Sequence, residues 1–186
     1  MLWLLAIAFG LLLGLFGGGN LSNLARLKFR WPWVLVGAVV VREAVTFTPL
    51  SRIDAARYIY VLTLALIVLW TVWHVKLLPG IWLVTAGALS NLVVVAVNGG
   101  RMPVALELAR TELGGVLVQR GHIGQYTLMG ADTRLNGLGD WLSIWPLPQA
   151  YSPGDLLIAV GLALVVLVAV HRTPEPEAIL EKPENV

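Results

Sequence analysis

Long apolar runs alternate with short polar segments along most of this chain. The apolar runs lie at residues 2–18, 31–49, 57–75, 81–100 and 155–171. A helix of about 20 residues, at about 1.5 Å rise per residue, crosses the roughly 30 Å hydrocarbon core of a bilayer. The pattern therefore predicts an all-α fold, a polytopic membrane bundle of about five transmembrane helices.

The segments between and after these runs differ in kind. Residues 101–153 are too polar and too rich in glycine to span, and they are predicted to form a long outer loop. Within it, residues 104–120 carry apolar side chains at roughly helical spacing, which predicts a short helix at the membrane surface. Residues 173–186 are rich in Pro and Glu and predict a disordered cytoplasmic tail after a membrane domain of residues 1–172.

The basic residues indicate an orientation in the membrane. Arg26, Lys28 and Arg30 form the densest basic cluster and directly follow the first apolar run. Cytoplasmic loops carry an excess of such residues, so the N-terminus is predicted outside and the C-terminus in the cytoplasm. The first run has no basic segment before it and no small-residue cleavage site after it, which favours a retained span over a cleaved signal peptide.

Composition narrows the class of protein further. With 58% hydrophobic and 13% charged residues, and a mean hydropathy of +0.79, the chain is too apolar for a soluble domain. It has no cysteine, which excludes disulfides, thiol nucleophiles and cysteine-ligated metals. The net charge is +2, but the bases are scattered at segment ends, so no nucleic-acid surface is predicted. The sequence shows no phosphate-binding loop and no metal-ligand spacing, and neither a metal nor a cofactor is predicted.

The run at residues 81–100 is apolar but carries a polar stripe. Gly87, Asn91 and Asn98 are spaced so that a helix stacks them along one side, where small and amide residues suit contact with protein rather than lipid. The run ends at a glycine pair, and Arg101 then marks the water interface. We therefore expect this stripe to face the interior of the bundle.

Several other polar residues are predicted at a similar depth. Arg42 and Glu43 fall inside the second run, with Arg42 roughly 10 Å below the outer surface, whereas Asn91 is roughly 13 Å deep. Charges in lipid are costly and must be partnered or reached by water. The sequence thus predicts one outer-half pocket with six ligand-binding residues: Arg42, Glu43, Asn91, Asn98, Arg101 and Asp155. The alternative is structural: the charges satisfy a neighbouring helix, and Asn91 only holds helices together.

The outer loop holds further polar residues of ordinary loop types. They are His122, Tyr126, Asp132, Arg134, Asn136 and Asp140. Residues of these types commonly form turns or remain solvated, and we predict that role for them here.

Two stretches resemble the lipoprotein signal peptidase (signal peptidase II) pattern. They are GALSNL at residues 87–92 and YSPGDLLIAVGLALVVL, which begins at Tyr151. In that family each corresponding stretch supplies one catalytic aspartate of an intramembrane aspartyl peptidase. Asp155 matches the second aspartate, but Val94 stands where the family has the first and Val95 where it has an arginine.

Three other stretches resemble an uncharacterised domain-of-unknown-function family of bacterial multipass membrane proteins. They are NGGRMP at residues 98–103, DTRLNGLGDW at 132–141 and SPGD at 152–155. This similarity spans most of the chain after Trp31. It implies a place in the bacterial inner membrane and brings no known activity.

Three hypotheses for function follow. The first is a polar pocket in the outer leaflet that binds a membrane lipid or other amphipathic ligand without catalysis, with Arg42 or Arg101 contacting an anion. The second is a divergent intramembrane hydrolase in which Glu43 replaces the missing aspartate opposite Asp155. The third is an accessory subunit of a membrane complex. Glu43 and Asp155 carboxylates within about 6 Å of each other would favour the hydrolase.

Overall fold

The computed structural model describes residues 1–106, 112–147 and 149–172, and it is 63% helical. The helices are α1 (Leu2–Phe16), α2 (Leu21–Ala25), α3 (Pro32–Phe47), α4 (Ala56–His74), α5 (Ile81–Val97), α6 (Glu112–Arg120) and α7 (Pro153–His171). The strands are β1 (Met102–Val104), β2 (His122–Ile123), β3 (Tyr126–Leu128), β4 (Leu142–Ser143) and β5 (Ala150–Tyr151).

The predicted apolar runs correspond to α1, α3, α4, α5 and α7. Two of these helices, α4 and α7, have 19 residues each and are long and apolar enough to cross a membrane. The helices α1 and α5 are apolar but shorter, with 15 and 17 residues. The chain is therefore mostly helical with two helices of spanning length, and the arrangement of five spans stays a prediction.

The long helices pack side by side around α7 and α5. Helix α7 contacts α1 and α5, α5 contacts α4, and α4 contacts α3. Apolar residues buried between them include Leu64, Ala88, Val94 and Val95. Helices α3 and α5 finish, and α4 and α7 begin, at one end of this bundle. We call it the loop end because the described residues of the outer loop, 98–106, 112–147 and 149–152, cover it.

Glycines set the closest approaches in the bundle. Gly10 of α1 lies against the backbone of Ala163 in α7, and Gly87 of α5 lies against the backbone of Gly154 at the start of α7. A Cβ atom at Gly87 would lie 2.9 Å from Ile158 Cγ1 and 3.0 Å from Ile158 N, closer than atoms pack. Gly87 and Asn91 of the predicted protein-facing stripe therefore face α7, whereas Asn98 follows the end of α5.

The all-α prediction is incomplete, because the outer loop contains short strands. Strand β3 pairs in parallel with β1 and antiparallel with β2, while β4 pairs with β5. Strands of two or three residues are too short to show the alternation that identifies a strand in sequence. Val104, predicted as part of a helix, belongs to β1, whereas α6 begins at Glu112. Residues 107–111 of the predicted surface helix and the predicted disordered tail lie outside the described residues.

Candidate functional site

The polar residues at the loop end form two separate groups. One group, which we call the buried cluster, lies between the helix ends and consists of Arg42, Tyr60, Asn91, Gln125, Tyr126, Asp140, Ser152 and Asp155. The other group lines an open cavity of about 410 Å³, which we call the loop-end pocket. Its lining residues are Val97, Asn98, Arg101, His122, Thr127, Asp132, Thr133 and Arg134. The predicted ligand-binding residues are thus divided between two places.

Asp155 is held by the first turn of its own helix and by α5. Its Oδ2 accepts a hydrogen bond from Ser152 N at 3.1 Å, while Ser152 Oγ accepts one from Asp155 N at 3.0 Å. This reciprocal capping box satisfies two backbone N–H groups at the start of α7. The helix consequently begins at Pro153, two residues before the predicted start.

Asn91 joins this cap to α5. Its Nδ2 donates to Asp155 Oδ1 at 3.0 Å, and its Oδ1 accepts from Ser152 Oγ at 2.9 Å. Asp155 was predicted to share one pocket with Asn91, Asn98 and Arg101, and its carboxylate bonds to Asn91 and Ser152. The reason is helical geometry: Asn91 follows Gly87 by one turn and faces α7, whereas Asn98 follows the last residue of α5.

Arg42 connects α1, α3 and α4 at the same level. Its guanidinium lies 4.8 Å from the ring centre of Trp3 and 5.3 Å from that of Tyr60, both within the range of a cation–π contact. The negative charges of Asp155 and Glu43 also act on it. Arg42 and Glu43 are both half-buried. Arg42 therefore has several interaction partners from different helices.

Asp140, like Tyr126, was predicted as a turn-forming or solvated loop residue, and the structure places both in the buried cluster. The backbone of Asp140 bonds to β1 and the residue after it, through Asp140 N to Pro103 O at 2.8 Å and Ala105 N to Asp140 O at 2.9 Å. The residue is 9% exposed, and its Oδ1 has no hydrogen-bond partner among the described residues. Burial raises the pKa of this carboxyl well above its usual range, the nearby Asp155 raises it further, and Arg42 opposes both.

Two neighbours extend the cluster into the folded loop. Gln125 is fully buried, and its side chain forms a hydrogen bond with Tyr126. Burial, together with the charge of Asp140, raises the pKa of Tyr126 to about 12, and Arg42 opposes the shift. At neutral pH the phenol is therefore protonated and can donate a hydrogen bond.

The sequence offered partial signals for these residues. The pair Ser152 and Asp155 has the spacing of a capping box, which identifies a helix start. Asp140 lies in the DTRLNGLGDW stretch that carried the family resemblance. Nothing local distinguished Gln125 or Tyr126, because their burial comes from the parallel pairing of β1 with β3.

In the loop-end pocket, Asn98 clamps the loop onto α5. Its Nδ2 donates to Val94 O at 2.8 Å and to Arg134 O at 2.9 Å, and its Oδ1 accepts from Arg134 N at 2.8 Å. The Arg134 backbone is therefore held by both functional groups of one amide. Asn98 positions the pocket wall through these bonds.

Charges of both signs line this pocket. Arg101 Nη2 contacts Asp54 Oδ1 at 3.2 Å, and this is the only ion pair formed by the lining side chains within the described part of the chain. Asp132 and Arg134 are both exposed. The sequence predicted His122, Asp132 and Arg134 as solvated loop residues, and the structure brings all three to one cavity.

Apolar residues in this lining, or close to it in the sequence, have exposed side chains. Val97, at the end of α5, lines the pocket and is 43% exposed. Leu135 directly follows Arg134 and is 47% exposed, and Leu138 and Trp141 are 38% and 46% exposed. The lining is therefore mostly polar and charged, with Val97 as its one apolar side chain among the described residues.

Neither a metal-ligand group nor the second cavity offers a better candidate for the functional site in the described structure. Within the ranges that the structure describes, no group of His, Asp and Glu side chains is arranged to hold a metal ion. A groove of about 610 Å³ lies at the opposite end of the bundle, and it is lined mainly by apolar residues such as Leu77, Leu167 and Val168. None of the residues predicted from sequence to bind a ligand lies there.

These observations define a mostly helical protein whose helix ends and folded loop enclose a polar pocket. The chain belongs to DUF5317, a family of unknown function, which matches residues 26–167. The predicted membership of a domain-of-unknown-function family is confirmed. The match covers α3 to α6 and most of α7, and it leaves α1 outside. No curated protein and no solved structure matches the chain.

Proposed function

We propose that this protein is a multipass membrane protein whose loop-end pocket binds the charged head group of a membrane lipid or another amphipathic ligand, without catalysis. One observation carries the proposal: Arg101 and Arg134 line a polar cavity whose lining also includes the exposed Val97. Guanidinium groups bind phosphate and carboxylate groups with two parallel hydrogen bonds, and an exposed apolar side chain such as Val97 suits contact with an acyl chain.

The surface of the helices supports a membrane setting. Apolar side chains stand exposed along the bundle, with Phe9 at 59%, Leu62 at 60% and Leu69 at 66%. Soluble monomers rarely expose large contiguous apolar surfaces, whereas lipid-facing helices do. We propose five spans with the loop end in the outer leaflet, because the basic cluster of residues 26–30 lies near the other end of the bundle.

In this proposal the buried cluster supports the pocket and does not bind the ligand. The two oxygens of Asp155 and both functional groups of Asn91 are already engaged with each other and with Ser152. Arg101 thus remains as a ligand-binding residue, joined by Arg134, while Asn98 lines the pocket and holds the Arg134 backbone. Arg42, with its aromatic contacts, holds the helix ends together.

Binding is preferred to the hydrolase alternative for the same reason. A general base must reach its substrate, and Asp155 is buried, bonded to the α7 cap and to Asn91, and absent from the lining of the loop-end pocket. Glu43, the other candidate catalytic residue, is not among the residues that line the pocket. The accessory-subunit hypothesis does not account for the charged cavity.

The test is retention of copurifying lipid in protein purified in mild detergent, measured by native mass spectrometry. Arg134→Gln is the cleanest variant, because the Arg134 contacts to Asn98 use its backbone only. A charge-assisted hydrogen bond contributes about 1.5–3 kcal/mol, so we expect retention to fall roughly 10- to 100-fold. Arg101→Gln should act in the same direction.

Arg120→Gln is the matched control, since Arg120 is exposed at the end of α6 and does not line the pocket. It should retain lipid like the wild type. Equal retention by Arg134→Gln, Arg120→Gln and wild type would refute the proposal.

A further inference from the structure

The charge pattern of the loop-end pocket narrows the class of head group. Arg101 and Arg134 suit an anion, but Asp132 lines the same cavity. The Asp132 carboxylate forms no ion pair with any residue that the structure describes. A ligand with phosphate alone would meet this carboxylate as a like charge, at a cost.

The wall that carries these charges is fixed. Between Asp132 and Arg134, Thr133 Oγ1 donates to Asn136 Oδ1 at 2.7 Å and also accepts from Gly130 N at 3.0 Å. Asn98 holds the Arg134 backbone on the other side. The carboxylate and the guanidinium are therefore attached to an ordered turn, two residues apart. Opposite charges carried by one ordered stretch of backbone favour a ligand with complementary charges.

The lining also discriminates between cationic groups. A quaternary ammonium has no N–H to donate, and proteins bind it with aromatic faces. The pocket lining contains no Phe, Tyr or Trp ring among the described residues. A primary ammonium donates up to three hydrogen bonds, which a carboxylate and the hydroxyls of Thr127 and Thr133 accept. The volume of about 410 Å³ falls within the usual range for small-ligand sites.

We infer that the ligand carries a phosphate and a primary ammonium in one group, as phosphoethanolamine does at the head of a lipid. The phosphate binds Arg101 and Arg134, and the ammonium binds Asp132. This inference rests on the proposed function and specifies its ligand. The same chemistry exists in a soluble phosphoethanolamine, and the experiment separates the two sources.

The experiment titrates the purified protein with dioctanoyl lipids that differ only in head group: phosphatidylethanolamine, phosphatidylcholine and phosphatidylglycerol. Native mass spectrometry measures the bound fraction. Wild type should bind the ethanolamine lipid about 10-fold more tightly than either other lipid, the effect of roughly one charged hydrogen bond. Asp132→Asn should remove this preference and strengthen binding of the anionic phosphatidylglycerol. Arg134→Gln should weaken the binding of all three lipids, and Arg120→Gln should leave the binding of each lipid unchanged.

The outcomes distinguish a failure of the ethanolamine inference from a failure of the proposed function. If wild type binds the three lipids equally, or if Asp132→Asn keeps the preference, the ethanolamine inference fails while an Arg134-dependent site stands. If Arg134→Gln binds every lipid like wild type, the proposed function itself fails. Soluble phosphoethanolamine should displace the bound lipid, and phosphocholine should not. Displacement at a concentration below that of the competing lipid would identify a soluble source for the same chemistry.

Discussion

Asp140 shows how a loop residue can be removed from water by the fold around it. Two backbone hydrogen bonds hold it beside β1, and its side chain then faces Arg42 on α3, Tyr126 on β3 and Asp155 on α7. Its Oδ1 is buried without a hydrogen-bond partner in the described structure. Ionising such a group costs free energy, so the fold favours its protonated form.

This arrangement predicts a specific pH dependence of stability. A carboxyl whose pKa is raised in the folded state contributes stability below its unfolded pKa, about 3.9, and loses it as pH rises toward the folded pKa. Asp140→Asn replaces the protonated acid with a neutral group of the same shape. We expect the free energy of unfolding of the variant to rise relative to that of wild type. The rise is about 1.4 kcal/mol for each pH unit between the unfolded-state and folded-state pKa values of Asp140.

Unfolding midpoints of both proteins in detergent, measured from pH 4 to pH 9, check this expectation. Subtracting the wild-type stability from that of the variant at each pH cancels the contribution of every other group that titrates alike in both proteins. A difference that is constant with pH would show that the Asp140 carboxyl is solvated after all.

Some single residues of the candidate site could be predicted from the sequence and others could not. One physical reason separates the two groups. Asn91 and Arg42 could be predicted to lie at a similar depth, because each sits on a regular helix whose rise is known. Asp140 and Gln125 could not, because their burial depends on how a loop folds back on strand β1. Turn-forming residue types describe only their immediate neighbours.

At the scale of elements, the contact between α5 and α7 depends on glycine. Gly87 and Gly154 face each other, and Gly161 lies against α5, where a Cβ atom would lie 2.7 Å from Val84 Cγ2. Without side chains at these positions, the backbones approach closely and Asn91 reaches Ser152 and Asp155. Helix packing thus places the polar network.

We therefore predict that Gly87→Ala destabilises the protein. The added methyl must displace Ile158 or separate the helices, and such overpacking costs typically about 1–3 kcal/mol. Gly37 is the control, since it lies within α3 with open space beside its Cα. Gly37→Ala should be neutral or stabilising by up to about 1 kcal/mol through helix propensity.

Thermal unfolding in detergent distinguishes the two substitutions. A Gly87→Ala protein as stable as Gly37→Ala would mean that α5 and α7 do not pack through glycine.

The boundaries of the long helices could be predicted from the sequence more closely than the kind of element that each part of the loop forms. The run at 31–49 became Pro32–Phe47, and the run at 81–100 became Ile81–Val97. Pro32 at the first turn and the glycines after Asn98 mark these ends chemically. The strands had no such markers, because parallel pairing joins Met102 to Tyr126 across α6.

At the scale of the whole molecule, the two ends of the bundle differ in chemistry. The loop end carries the buried cluster and the charged pocket, whereas the opposite end carries an apolar groove and the basic residues that follow α2. If the bundle spans a membrane, these ends lie on opposite sides, and the basic end is expected in the cytoplasm. The proposed lipid site then faces the outer leaflet.

The chain has no cysteine, so a single introduced cysteine reports its own side of the membrane. Arg120 is exposed at the loop end, and Lys76 is exposed between α4 and α5 at the opposite end. In intact cells treated with a membrane-impermeant maleimide, Arg120→Cys should be labelled. Lys76→Cys should be labelled only after the cells are permeabilised. The reverse pattern would place the pocket in the cytoplasmic leaflet. Equal labelling of both in intact cells would show that no membrane separates the ends, and it would refute the spanning arrangement on which the outer-leaflet proposal depends.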